Sequence, residues 1–131
     1  MKIIPVVCAI IEREGKVLCA RRSPIMALPL KWEFPGGKLE QNESPEDALS
    51  REIEEELGVK ITVLESLTIN EHSYNAGIII RLMPYRCRLS YDGNPQPKEH
   101  AELKWVAVTE LTKLDWAEAD VPIVNDYITR L

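Results

Sequence analysis

The run GKLEQNESPEDALSREIEEELGV at residues 37–59 constrains this chain more than any other stretch. It matches the register G-x5-E-x7-R-E-U-x-E-E-x-G-U, where U is apolar. The fixed positions are Gly37, Glu43, Arg51, Glu52, Ile53, Glu55, Glu56, Gly58 and Val59. At average residue frequencies, a chance match at a given start is on the order of one in a billion.

Most of the run specifies a helix. Ser44 suits the N-cap, Pro45 the first helical position, and Asp47 three residues on offers an approximate capping box. Leu49, Ile53 and Leu57 recur at i, i+4 and i+8, a stripe that can dock on a sheet. Gly58 reads as the stop that follows. Glu52, Glu55 and Glu56 recur at i, i+3 and i+4, so they share one face. Like charges there weaken a helix, and a cation is their natural counterpart. Taken singly, a Glu-rich helix reads as a solvated face and Arg51 as an i, i+4 partner for Glu55. The same i, i+3, i+4 spacing is also what a helical metal site needs. Magnesium takes hard oxygen ligands, a few carboxylates together with substrate phosphates. Glu43 sits just ahead of the helix, within reach of the same cluster, and Gly36-Gly37 lets backbone approach a ligand closely.

With 131 residues the chain is expected to form one domain spanning 1–131. A net charge of −5 argues against binding DNA or RNA chiefly through phosphate contacts. It leaves a nucleotide substrate open, because metal ions would intervene. Cys8, Cys19 and Cys87 lack any C-x-x-C spacing and read as reduced thiols of a cytoplasmic protein. The opening MKIIPVVCAII is short, holds Pro5 and stops at Glu12-Arg13-Glu14, so it reads as a buried strand rather than a signal peptide. No stretch approaches the length of a membrane span.

Residues 6–11 and 17–22 read as strands joined by a turn at Glu14-Gly15. A loop over 23–31 precedes the segment Trp32-Glu33-Phe34. Alternation at Ile61, Val63, Leu67 and Ile69 predicts one strand over 61–71. Another follows over 77–89, where Pro84 marks an edge or a bulge. Asp92-Gly93-Asn94-Pro95 makes a turn, and the loop runs on through Glu99. A short strand over 103–108 and a helix from near Asp120 to the end complete the chain. This order suggests a mixed sheet with helices on both faces.

The register at residues 37–59 resembles the signature of the Nudix hydrolases, which cleave nucleoside diphosphates linked to another group. The resemblance covers essentially the whole chain and implies an α/β (α+β) fold, the Nudix α/β/α sandwich with a mixed central sheet. Arg21-Arg22, WEFPGGK at 32–38, Lys98-Glu99-His100 and Ala119-Asp120-Val121-Pro122 are similar to segments of MutT-like nucleoside triphosphate pyrophosphohydrolases. The likeness is to the bacterial branch acting on CTP and on modified or oxidised deoxynucleotides. It implies water attack at a phosphorus, release of monophosphate and pyrophosphate, and a need for Mg2+, with Mn2+ as the alternative ion. Nucleotide-pool housecleaning, which serves DNA repair, would be the role. The partner would be a small nucleotide rather than a nucleic-acid polymer or a membrane, and the protein a monomer or homodimer.

Carried onto this chain, the resemblance assigns metal binding to Gly37, Glu52, Glu55, Glu56 and Glu99. Arg51 and Glu43 join Glu52, Glu55 and Glu56 in the catalytic set, with Arg51 orienting the acids. Glu52 is the expected general base, ahead of Glu43 and Glu99. Substrate contacts fall to Arg22, Phe34, Gly36, Gly37, Lys38 and Asp120.

Several of these residues have a second reading. Arg22 suits phosphate through its guanidinium fork, or simply ends a strand. Phe34 can stack on a base or pack in the core. Asp120 stands where MutT proteins specialised for oxidised guanine are expected to carry asparagine, which argues against that strict specificity. An ionised carboxylate only accepts hydrogen bonds, whereas a protonated one also donates. As N-cap of the last helix, Asp120 would play no such part. His72 and His100 read as structural or solvent-facing. Rival substrates are ADP-ribose, NADH and dinucleoside polyphosphates. A non-catalytic nucleotide sensor is the rival from another class, though it would be expected to lack signature acids, and none is missing.

Overall fold

The computed structural model describes residues 2–131. Strand β1 (Lys2–Arg13) is the axis of the molecule. A two-residue turn carries the chain into β2 (Lys16–Arg21), with Glu14 at φ 52° and Gly15 at φ 76°. Both central residues at positive φ make the tight hairpin that twisted strands prefer. Strand β3 (Trp32–Glu33) pairs antiparallel with β2, and the short β4 (Gly36–Lys38) pairs with β1. Helix α1 (Pro45–Leu57) follows, then β5 (Ile61–Ser66), β6 (Asn70–Asn75) and β7 (Ile78–Leu89). β7 runs parallel to β1 along most of its length and takes β5 and β6 on its other side. β8 (Glu102–Ala107) returns to β2, and α2 (Val121–Thr129) closes the fold. The sheet is mixed, as its β1–β7 parallel pair and antiparallel remainder require.

β1 is buried on both faces, and its alternation decides what covers each. Val7, Ala9 and Ile11 pack with Leu49, Ile53 and Leu57 of α1. Cys8 and Ile10 pack with Ile123, Val124 and Tyr127 of α2. Successive strand residues point to opposite faces, so one strand supports both helical layers. Fully burying each Leu or Ile contributes about 1.5–3 kcal/mol. Cys8, Cys19 and Cys87 are free and buried. No helix among the described residues is long and apolar enough to cross a membrane.

Two sequence expectations are corrected. The single strand over 61–71 is two strands, broken after Ser66: Leu67 turns into the α2-side core while Ile69 is 53% exposed. Pro84 marks no edge, since β7 is paired on both sides. Its carbonyl accepts the Leu67 N–H at 2.9 Å. The N–H that proline lacks would point the same way, into the interval between the end of β5 and the start of β6.

Candidate active site

Local chemistry sets the register of α1. The Ser44 hydroxyl accepts the Asp47 N–H at 3.1 Å, and Gly58, at φ 70°, donates its N–H to Glu54 at 3.0 Å. Among the described residues, only the Ser44 half of the expected capping box forms. With Ala48, Leu49, Ile53 and Leu57 buried, the carboxylates at 52 and 56 fall on the flank beside β4. The two β4 glycines permit this approach. Gly36 pairs with Cys8 so closely that a Cβ would strike the Val7 carbonyl. A Cβ on Gly37 would land on the Glu52 carboxylate.

Arg51 ties the acids together. Its Nε donates to Glu43 Oε2 at 2.7 Å and its Nη2 to Glu43 Oε1 at 3.0 Å. Nη1 donates to Glu52 at 3.0 Å and Glu55 at 3.3 Å, while Nη2 also reaches the Lys38 carbonyl at 3.2 Å. This fork, with the Glu40 N–H, holds Glu43 down at about 2. The carboxylates in turn hold the Arg51 guanidinium above its ordinary value, the Glu43 bond foremost. Burial pushes Glu52 up, against the pull of Arg51.

Glu56 has no such partner. Its Oε2 is buried without a hydrogen bond, and burial pushes the carboxyl up to about 8, with His100 opposing and Glu52 and Glu33 reinforcing. An orphaned carboxylate oxygen beside a second acid, in an all-oxygen donor set, fits a hard divalent cation. Among the described residues, no three His, Cys, Asp or Glu side chains converge on one point. Arg51 bonds Glu52 and Glu55 but not Glu56, and Mg2+ characteristically takes one or two carboxylates plus substrate phosphates.

Glu56, Gly37 and Lys38 line a cavity of about 660 Å3 together with Tyr74, Ala119 and Asp120. Glu33 lines it too, bonded to Arg22 Nη1 at 2.7 Å and to His100 Nε2 at 2.8 Å. These partners outweigh burial and keep Glu33 below its usual value. Burial pulls His100 down, but its bond to Glu33, with Glu33 and Glu56 charge, leaves it raised. Asp120 is buried, and its Oδ2 accepts the Phe34 N–H at 2.9 Å. Burial pushes its carboxyl up to about 8, the Phe34 bond opposing.

The NUDIX domain family model matches residues 1–127. The chain belongs to the Nudix hydrolase family. It is 39% identical over 128 residues to the CTP pyrophosphohydrolase of Escherichia coli K12, covering 98% of this chain and 93% of that one. It is 44% identical over 125 residues to the 8-oxo-dGTP diphosphatase of Haemophilus influenzae, covering 95% and 90%. The solution structure of the E. coli ORF135 protein superposes with a TM-score of 0.86 at 38% identity, covering 98% of this chain and 91% of that one. Nudix hydrolases generally need a divalent metal, and the α/β/α arrangement expected from the sequence is the one seen.

Within this Nudix fold, Glu43, Arg51, Glu52 and Glu55 are joined in one bonded cluster, with Glu56 on the adjoining cavity wall. Gly36, Gly37, Lys38, Arg22, Phe34 and Asp120 all line the cavity. Glu99 does not: it is exposed in its loop, and the side chain that enters the cavity there is His100. Arg22 directly follows β2 and lines the cavity. Its guanidinium is held by Glu33 and by the Ala27 carbonyl at 2.6 Å. Phe34 packs on Trp116, ring centroids 4.7 Å apart, as the core reading expects, while its backbone serves Asp120. Asp120 does occupy the N-cap position of α2, but its side chain makes no capping bond and accepts the Phe34 N–H instead. His100 is buried rather than solvent-facing, and His72 lies 3.3 Å from Glu118. Sequence reasoning missed Glu33 and Tyr74 as wall residues. Glu33 lay inside the WEFPGGK segment, whereas Tyr74 carried no signal.

Proposed function

We propose that this Nudix hydrolase cleaves a nucleoside triphosphate, a CTP or dCTP derivative, 8-oxo-dGTP or 2-hydroxy-dATP, to monophosphate and pyrophosphate. The observation that carries the reading is the cavity itself, whose walls include both Glu56, with its buried and unbonded Oε2, and the buried Asp120. Its volume lies within the range that encloses small ligands. The named relatives support the same class of reaction. The domain is taken as one unit over residues 1–131.

Glu52 and Glu56, with Glu55 and Gly37, would hold Mg2+; Mn2+ offers the same hard-ligand chemistry. When bound, such an ion would neutralise phosphate oxygens and lower the pKa of water. Arg51 keeps Glu52 and Glu43 in fixed orientation. Glu52 accepts the proton of the attacking water, which forms its bond to the β-phosphorus as the bridge to the α-phosphate breaks. The monophosphate leaves, and the water oxygen remains on pyrophosphate. Lys38, exposed at the cavity mouth, attracts the polyphosphate. One Asp120 oxygen is committed to Phe34, which leaves the other for the base edge.

The test is product analysis with Mg2+ and a panel of CTP, dCTP, 5-methyl-dCTP, 8-oxo-dGTP, 2-hydroxy-dATP, ADP-ribose and NADH. Monophosphate plus pyrophosphate from a triphosphate is expected. Glu52→Gln should lower turnover by about three orders of magnitude with the fold intact. Cleavage of ADP-ribose or NADH alone, or a loss below about tenfold in the variant, would overturn the reading.

A further inference from the structure

The segment that delivers Asp120 to the cavity is gripped from outside by the β6 arm. In β6, His72 stands opposite Ile80 and Asn75 opposite Ile78, so Ser73 and Tyr74 together face the single residue Ile79. That is a bulge, and bulges re-aim side chains. The Ser73 hydroxyl pins it, bonding the carbonyls of Asn75 at 2.7 Å and Ile78 at 3.1 Å. As a result Tyr74 turns onto the 3-10 turn Glu118–Asp120, where its hydroxyl accepts the Ala119 N–H at 2.9 Å. Beside it, the His72 ring meets Tyr74 edge-on at 4.5 Å and its Nε2 lies 3.3 Å from Glu118.

Ala119 is buried, and its N–H takes the Tyr74 hydroxyl as its partner. On the opposite flank the same segment is tied by the Ala117 N–H to the Trp32 carbonyl at 2.8 Å. Asp120 therefore follows directly on two anchors, one in the core at Ala117 and one on an exposed hairpin at Ala119. Ala119 is the residue immediately before Asp120, so the cost of losing the outer anchor falls on Asp120.

We propose that Tyr74 is a positioning residue for substrate selection: aimed by the β6 bulge, its hydroxyl fixes through Ala119 the segment that presents Asp120. The kinetic consequence rests on the triphosphate reading above; the structural one does not.

Tyr74→Phe removes the hydroxyl and leaves the ring against His72. Amide hydrogen exchange followed by NMR reads the position of Asp120 through the Phe34 N–H that its carboxyl accepts. Both the Ala119 and Phe34 amides are expected to exchange about tenfold faster, with little change in Tm. On the nucleotide the wild type cleaves best, KM should rise about fivefold to tenfold with kcat within about twofold. The KM effect should vanish in an Asp120→Ala background, since the two residues then act as one unit. Unchanged protection at Phe34 would overturn the inference, as would a fall in kcat at constant KM. Should the wild type cleave no nucleotide, the functional reading fails, and the exchange measurement still decides this one.

Discussion

The Glu52 carboxylate lies against the bare Cα of Gly37, where a methyl group would collide with it. β4 and α1 can approach this closely only because residue 37 has no side chain. Its φ lies outside the left-handed region, so alanine meets no backbone strain there. The neighbour that must move is the far end of a flexible side chain, which costs little stability but displaces the carboxylate. Gly37→Ala is therefore expected to keep its Tm within a few degrees while kcat falls about a hundredfold. Thermal unfolding and steady-state kinetics on one preparation check both halves. Equal activity would mean that the position of Glu52 is not critical.

Arg51 is a fork that donates to four residues, Glu43, Glu52, Glu55 and Lys38, and lysine has the charge without the fork. Arg51→Lys should leave Glu43 and Glu52 without a common tether. The Glu43 carboxyl, now held at about 2 chiefly by its Arg51 bond, should titrate nearer its ordinary value of 4.5, read by NMR of the side-chain carboxyl. Turnover should drop by about 10-fold to 100-fold through loss of orientation. Wild-type titration together with lowered turnover would separate the two roles and remove orientation as the cause.

What the sequence disclosed was mostly short-range. The cap at Ser44, the stop at Gly58, the i, i+3, i+4 acids and the Glu14-Gly15 turn each depend on residues a few positions apart. Chain-local geometry suffices for them, and the structure matches the expectation at the cap, the stop and the turn. The Phe34–Asp120 and Glu33–His100 bonds join residues 86 and 67 positions apart. Nothing local announces such pairs. Asp120 before a proline-bearing helix start has the composition of a cap, and burial against Phe34 overrides it. Alternation likewise cannot show where β5 ends, because Leu67 continues the pattern while turning into the opposite core. The bulge that aims Tyr74 depends on the partner strand's register, which pattern alone does not contain.

Asp120 makes stability depend on pH. Unfolded, its carboxyl is deprotonated above its ordinary 3.8; folded, burial and Glu33 hold the proton on until about 8, against the Phe34 N–H and Arg22. Between those values the folded state binds more protons, so its contribution is fully present below the unfolded value. It is lost as pH rises through the folded one. Asn at this position cannot titrate, yet its carbonyl can still accept the Phe34 N–H. In EDTA, the wild-type Tm should fall between pH 5 and pH 9 by roughly 5 °C more than that of Asp120→Asn. Differential scanning calorimetry at matched ionic strength measures this. Parallel curves would show Asp120 ionised throughout.

Glu56 Oε2 is buried and without a partner, and a cation that satisfies it binds the folded state and not the unfolded one. Mass action then stabilises the fold by about 2.7 kcal/mol at a free ion concentration a hundred times Kd. Mg2+ added to protein stripped with EDTA should accordingly raise Tm. Glu56→Gln keeps the shape but removes the charge, which relieves the desolvation penalty when no ion is present. Its metal-free Tm should equal or exceed that of the wild type, and its Mg2+-induced rise should shrink to less than about a third. Glu55, whose side chain is 60% exposed, has solvent as an alternative partner, so Glu55→Gln should retain most of the rise. A rise in Glu56→Gln equal to the wild type's would place the cation away from the cavity wall, and with it the proposed polyphosphate end of the site.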